Sequence, residues 1–113
     1  MTKEILEKKP VHTIIPAVNI VEKPKAYIVS LDIPGAVKQN IKADIENNTL
    51  VISADVEDYS KYDTTEIAKQ YRREFLLAND IDVHSVNARY ELGVLTVTLN
   101  KKEQFLPKQI TIN

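Results

Sequence analysis

The chain has 113 residues, of which 43% are apolar and 27% charged, a balance that suits one soluble folded domain and excludes a disordered chain. Its net charge of −1 gives no overall field that would attract nucleic acid or an anionic membrane. It has no cysteine, which excludes disulfides, thiolate catalysis and cysteine–zinc sites.

The N-terminal residues contain a single apolar pair, Ile5-Leu6, which is too short for the core of a signal peptide. No later run approaches the ~20 apolar residues of a membrane span. We therefore expect a cytoplasmic protein with no membrane partner, in which residues 1–15 form a short N-terminal arm.

Apolar residues alternate with polar ones along most of the remaining chain. Tyr27, Val29, Leu31 and Ile33 share one face, and the same pattern recurs at 41–46, 50–57 and 94–100. Successive side chains of a strand point to opposite faces, so each run can bury one side. The predicted strands lie near 17–22, 26–33, 41–46, 50–57, 71–77, 84–91, 94–100 and 109–112.

Turn residues separate these runs: Pro34-Gly35, Asn47-Asn48, Asn79-Asp80 and Gly93. Many short strands at regular spacing predict an all-β fold, either a sandwich or a barrel. The polar segment 58–70 is an exception, because Asp63 and Glu66 could cap a short helix over 64–72. A long loop inside a small domain usually has a function.

The C-terminal tail carries two β-branched residues, Ile110 and Ile112, which in an extended strand lie about 6.8 Å apart on one side. Such a pair can fill pockets on another molecule, or can belong to a final strand that closes its own sandwich. Pro107 and the charged residues 101–103 before it suggest an exposed tether.

Catalytic chemistry finds little support in the sequence. His12 and His84 show no metal-ligand spacing, and with two glycines in the chain a phosphate-binding loop is implausible. We predict no enzyme activity, no cofactor and no metal. Arg73 lies between Tyr71 and Phe75 on one strand face, where it could stack on the rings and pair with a carboxylate across a subunit boundary.

In order and spacing, these segments resemble the small heat shock protein family and its alpha-crystallin domain from about Pro16 to Asn113. The matching segments are Ala17 to Glu22, Leu31 to Gly35, Tyr71 to Ala78, Ala88 to Leu95 and Ile110 to Ile112. The resemblance implies an immunoglobulin-like sandwich at 16–102 and a C-terminal extension at 103–113. The chain departs from the family pattern at Ala78, Leu92 and Asn100, all in turns, and its N-terminal arm is short.

The resemblance also implies an ATP-independent chaperone that binds unfolding client proteins and pairs with other copies of itself. In that arrangement the loop 58–70 crosses to a partner subunit and adds a strand beside residues 17–22.

The resemblance also implies which residues take part in each contact. The expected dimer contacts are Val18, Ile20, Tyr59, Tyr62 and Arg73. The expected groove for the tail isoleucines is formed by Ala43, Ile45, Val86, Ala88 and Tyr90. Expected client-binding residues are Ile5, Leu6, Val11, Ile14 and Ile15, and Pro34, Gly35 and Gly93 are expected to shape turns.

Three alternatives remain open at this stage. The first is an adaptor of the CS-domain type that docks onto one specific partner, and the second is an assembly partner of a longer small heat shock protein. The third, a small-barrel enzyme, lacks any convergent set of polar residues in the sequence.

Overall fold

The computed structural model describes residues 11–56 and 68–105, together with Ile110 and Ile112. Within this part of the chain the regular structure consists of eight strands and one short 3-10 turn at Glu103–Phe105. The strands are β1 Val11–Ile14, β2 Val18–Glu22, β3 Ala26–Asp32, β4 Ala36–Glu46, β5 Thr49–Val56, β6 Ala68–Leu76, β7 Ile81–Glu91 and β8 Val94–Lys101.

The strands form two four-stranded sheets, ordered β1-β6-β5-β4 and β2-β3-β8-β7. Every pair is antiparallel except β1 with β6, which run parallel from Val11 beside Ala68 to Ile14 beside Tyr71. The all-β sandwich predicted from the sequence is therefore confirmed.

The core lies between the two sheets and is built from the alternating apolar residues. Leu31 and Ile33, Leu50 and Ile52, and Val97 are almost fully buried. Because each such side chain contributes roughly 1.5–3 kcal/mol when it leaves water, this single cluster is the main stabilising feature of the fold.

Two polar contacts show how the sheets are stacked. The Tyr90 hydroxyl of β7 lies 3.4 Å from the carbonyl oxygen of Ala36, where β4 begins. The Arg73 Nη1 of β6 donates to the carbonyl oxygen of Pro16, just before β2, at 2.9 Å. Hence the edge strands β4 and β7 lie on one side of the sandwich. On the other side, the start of edge strand β2 lies beside β6, which has β1 as its outer neighbour.

Turns close the ends of the strands. Asn47 and Asn48 both have positive φ in the β4–β5 turn, and Gly35 and Gly93 both have φ near 80°. The backbone N–H of Ile33 donates to the carbonyl oxygen of Gly93 at 2.9 Å, so the two glycine turns meet at one end of the sandwich.

Several strand boundaries differ from the sequence prediction. β1 was not expected, and β4 begins at Ala36 because it continues through a register break before Ile41. Residues 68–72 belong to β6, which begins earlier than the strand predicted over 71–77, so the alternative of a short helix over 64–72 is wrong in that part. Ile110 and Ile112 are not in a strand, and the rest of the loop prediction, with Tyr59 and Tyr62, lies outside the described residues.

Candidate assembly surfaces

The first surface is the free edge of β2, which has a strand neighbour on one side only within the described part of the chain. Val18 and Ile20 lie on the face that turns toward the core. Val18 packs against the core, whereas Ile20 is 54% exposed, although its register partner Val29 is buried. An unpaired edge with an uncovered apolar side chain is a site where another strand can add.

Arg73 stands beside this edge. Its guanidinium carbon lies 5.7 Å from the centre of the Phe75 ring, which agrees with the expected stacking on an aromatic side chain. Its hydrogen bond goes to the Pro16 carbonyl oxygen of the same chain. Arg73 therefore fixes the segment that leads into β2, and so holds the orientation of the free edge.

The second surface lies along the opposite side, between the outer strands β4 and β7. Ile45 of β4 and Val86 and Tyr90 of β7 are half-buried and pack against the core, whereas Ala43 and Ala88 are exposed. The Tyr90 hydroxyl bridges to the Ile33 and Ala36 carbonyl oxygens at 3.2 and 3.4 Å, which closes one end of the gap between the sheets.

The tail isoleucines lie away from the sandwich. Ile110 is 82% exposed and Ile112 is 91% exposed. Two large apolar side chains that lie two positions apart, both this exposed, mark a candidate interaction site.

The residues expected to bind clients are distributed along the first part of the chain. Ile14 is half-buried in β1, and Ile15 is exposed directly after it. The backbone of Val11 pairs with Ala68, while Ile5 and Leu6 lie outside the described residues. The turn residues Pro34, Gly35 and Gly93 occupy the two turns at one end of the sandwich.

A cluster that sequence reasoning missed lies at the other end, where β8 leads into the tail. The Tyr27 hydroxyl donates to the Asp80 carboxylate, 2.9 Å from Oδ2 and 3.1 Å from Oδ1. This hydrogen bond, together with burial and the negative charges of Asp80 and Glu22, raises the pKa of Tyr27 to about 12. The phenol therefore keeps its proton throughout the neutral range.

Lys101, the last residue of β8, completes the cluster. Its side chain is only 10% exposed, and its Nζ lies 4.9 Å from the centre of the Tyr27 ring and 3.2 Å from Glu22 Oε2. Glu22, Tyr27, Asp80 and Lys101, here called the tail-root clamp, join the ends of β2 and β8, the start of β3 and the turn before β7. No motif marks them, because they come from four separate elements; the only sequence signal is their place at strand ends.

Asn100, one of the departures from the family pattern, lies within β8 and not in a turn as expected, and its side chain has a partner there. Its Nδ2 donates to Ser85, 2.8 Å from Oγ and 3.3 Å from the carbonyl oxygen. The ladder between β7 and β8 is irregular between Ile81 and Val86, and this side chain ties the strands together across that interval.

Two other kinds of site, metal-binding clusters and membrane-spanning helices, are absent from residues 11–56 and 68–105. No group of three or more histidine, aspartate or glutamate side chains is placed to hold a metal ion there. None of the helical structure described is long and apolar enough to cross a membrane.

Comparisons with protein families, sequences and solved structures all find similarity to heat shock proteins of one family. The model of the Hsp20/alpha crystallin family matches residues 19–113. The 17.4 kDa class III heat shock protein of Arabidopsis thaliana is 38% identical, over 84% of this chain and 69% of its own length. Small heat shock protein C1 of Rickettsia prowazekii is 33% identical over 82% of this chain, which spans only 60% of that relative. The solved structure of heat shock protein 16.0 from Schizosaccharomyces pombe superposes with a TM-score of 0.71 at 26% identity, over 89% of this chain and 77% of the other.

Proposed function

The chain belongs to the Hsp20/alpha crystallin family of small heat shock proteins, and we propose that it is an ATP-independent chaperone that assembles with other copies of itself and binds unfolding proteins. The observation that carries the proposal is the exposure of both tail isoleucines, which the sandwich of the same chain leaves uncovered. A location in the cytoplasm is part of the proposal.

The dimer is proposed to form at the free edge of β2. A strand from a partner subunit would satisfy the unpaired backbone groups of the edge and cover Ile20. The connection 57–67 is proposed to supply this strand, because it joins two neighbouring antiparallel strands and is far longer than the Asn47-Asn48 turn. Tyr59 and Tyr62 would then contact the partner.

Two variants test this dimer. Deletion of 59–66 removes the donated strand, and Ile20→Lys places a charge in its path, so both should yield monomers by light scattering. Leu92→Lys is the control, since Leu92 is an exposed apolar residue on a distant turn and the substitution introduces the same charge. A dimer that persists in both variants would refute the exchange of this strand.

The tail is proposed to bind the surface between β4 and β7 of a neighbouring copy. Burying each isoleucine is worth roughly 1.5–3 kcal/mol, so one tail makes a reversible contact. Repeated contacts around an assembly would make it stable, because each further contact forms within an existing complex. Ala43 and Ala88 leave room there, and Ile45, Val86 and Tyr90 offer half-buried apolar surface.

The double variant Ile110→Ser, Ile112→Ser tests the tail. We expect it to reduce the assembly to dimers in native mass spectrometry, because serine has no apolar side chain to bury. Leu92→Ser removes an equally exposed apolar side chain elsewhere and should leave the assembly intact. An unchanged mass distribution in the double variant would rule out the proposed contact.

Client binding is proposed to use the apolar surface that is uncovered when tails or dimers separate, with Ile15 as an additional exposed contact. Light scattering of a heated model enzyme measures this activity. The chain should suppress the scattering at equimolar ratio, equally with and without ATP. Equal aggregation with and without the chain would contradict the chaperone function, and a stable monomer would favour the adaptor instead.

A further inference from the structure

We propose that the tail-root clamp is a positioning site that sets the direction in which the C-terminal tail leaves the sandwich, and so selects which neighbouring copy its isoleucines can reach. The proposal rests on the role of the tail given above. The four side chains of the clamp lie outside the family motifs, and substitutions there are expected to change the exit of the tail without removing its isoleucines.

The tail leaves the sandwich after Lys101 and Lys102, whose backbone amides are both hydrogen-bonded. The backbone N–H of Lys101 donates to the Lys25 carbonyl oxygen at 2.9 Å, and that of Lys102 donates to the Asp80 carbonyl oxygen at 2.7 Å. The described residues that follow, Glu103 and Gln104, are exposed. Asp80 therefore holds the residue that follows β8, and its position constrains the direction of the chain at its exit.

Asp80 is in turn held in place by Tyr27. It lies in a turn, where backbone positions are less constrained than in a sheet, but its carboxylate accepts the hydrogen bond of Tyr27. Tyr27 is paired on one side with Leu99 of β8 and on the other with Glu22 of β2. The phenol thus fixes the turn to the start of an inner strand.

The clamp also joins the tail to the proposed dimer edge. The largely buried Lys101 ammonium lies over the Tyr27 ring and pairs with Glu22, the last residue of β2. One network therefore holds the end of β2 and the root of the tail in a fixed relation. Because closed assemblies require a defined angle between the two contacts of each subunit, this relation restricts the assemblies that can form.

The experiment compares Tyr27→Phe and Lys101→Met with Tyr71→Phe. Tyr71 is a matched control, since its hydroxyl also donates one hydrogen bond, to the Pro34 carbonyl oxygen at 2.8 Å, but at the opposite end of the sandwich. Hydrogen exchange of the Lys102 amide reports the tail root, and native mass spectrometry reports the distribution of subunit numbers. Thermal unfolding of each variant measures the general loss of stability.

We expect exchange at Lys102 to become roughly five- to thirtyfold faster in both clamp variants, together with a broader distribution of subunit numbers. Tyr71→Phe should change neither, even where its midpoint of unfolding falls as far. Lys101→Arg, which keeps a cation over the ring, should restore the narrow distribution.

Two results would overturn the proposal: exchange at Lys102 that stays unchanged in the clamp variants, or an assembly that responds equally to Tyr71→Phe. A failure of the tail contact itself is recognised separately, since the double isoleucine variant would then keep the mass distribution of the unmodified chain. In that case the Lys102 exchange alone decides whether the clamp fixes the exit.

Discussion

The two ends of the sandwich are held together by different chemistry. At the end with the two glycine turns, Tyr71 and Tyr90 donate to backbone carbonyl oxygens of Pro34 and Ile33, and no charged side chain takes part in these bonds. At the tail end, the corresponding tyrosine, Tyr27, donates to a carboxylate and lies under an ammonium group. The neutral end closes a turn, whereas the charged end lies where the chain leaves the fold.

This difference has a physical meaning for assembly. Hydrogen bonds to charged acceptors are stronger than those between neutral groups, and they respond to pH and to neighbouring charges. A neutral tie suits a turn that only has to stay closed. A charged clamp suits a place where one segment must keep its direction while the tail beyond it is in water.

The largest contrast is expected between two tyrosine substitutions. Tyr27→Phe removes a bond to a carboxylate and should cost roughly 1.5–3 kcal/mol, whereas Tyr71→Phe removes a bond to a neutral carbonyl and should cost roughly 0.5–1.5 kcal/mol. Urea unfolding at one fixed protein concentration measures both. Equal losses of unfolding free energy in the two variants would show that the charged and neutral hydrogen bonds do not differ in strength.

The hydrogen bond between Tyr27 and Asp80 also predicts that the free energy of unfolding falls at alkaline pH. The pKa of Tyr27 is raised from 10.0 to about 12, chiefly by its hydrogen bond to Asp80. Because the folded-state pKa is the higher one, the stabilisation is complete below pH 10 and is lost as the pH rises from 10 to about 12. Tyr27→Phe should lack this loss, and Tyr71→Phe should retain it, in unfolding measured across that window. Identical pH profiles for all three proteins would contradict the assignment.

A substitution at the neutral end should stay local. Gly93 has φ of 80°, and a Cβ there would lie 3.4 Å from the Pro34 Cα. Gly93→Ala should therefore cost about 1–2 kcal/mol, mainly through the left-handed backbone, without faster exchange at Lys102. Faster exchange at Lys102 would show that the two ends are coupled.

The smallest effect is expected at Leu92, which has φ of 52° and is 96% exposed. Leu92→Asn should increase the free energy of unfolding by up to about 1 kcal/mol, because asparagine tolerates this conformation and no packing is lost. Thermal unfolding of the variant measures the gain. A lower stability would mean that the leucine has a contact in the assembled protein.

The sandwich itself was predictable because period-two alternation marks strands that bury one face. The residues that build the core, such as Leu31, Ile52 and Val97, lie within runs assigned as strands from the sequence. β1 was missed because it has only four residues and ends before Pro16, and its parallel partner is more than fifty positions away. Nothing local in a sequence specifies such a pairing.

The residues proposed for assembly on β2, β4 and β7 were chosen through family motifs, whereas no motif pointed to the tail-root clamp. Its four side chains are separated widely in sequence and meet only when the ends of four elements come together. Asn100 shows the same limit: the sequence marks it as a departure from a family pattern, and only the structure shows its bond to Ser85.

The mass of the intact chain in solution, measured by light scattering across a wide range of protein concentrations, tests most directly whether other copies complete these surfaces. We predict a mass of at least twice the 12.8 kDa of one chain. The double variant Ile110→Ser, Ile112→Ser should form dimers and no larger assembly. A folded 12.8 kDa species that persists at the highest concentration would contradict the account.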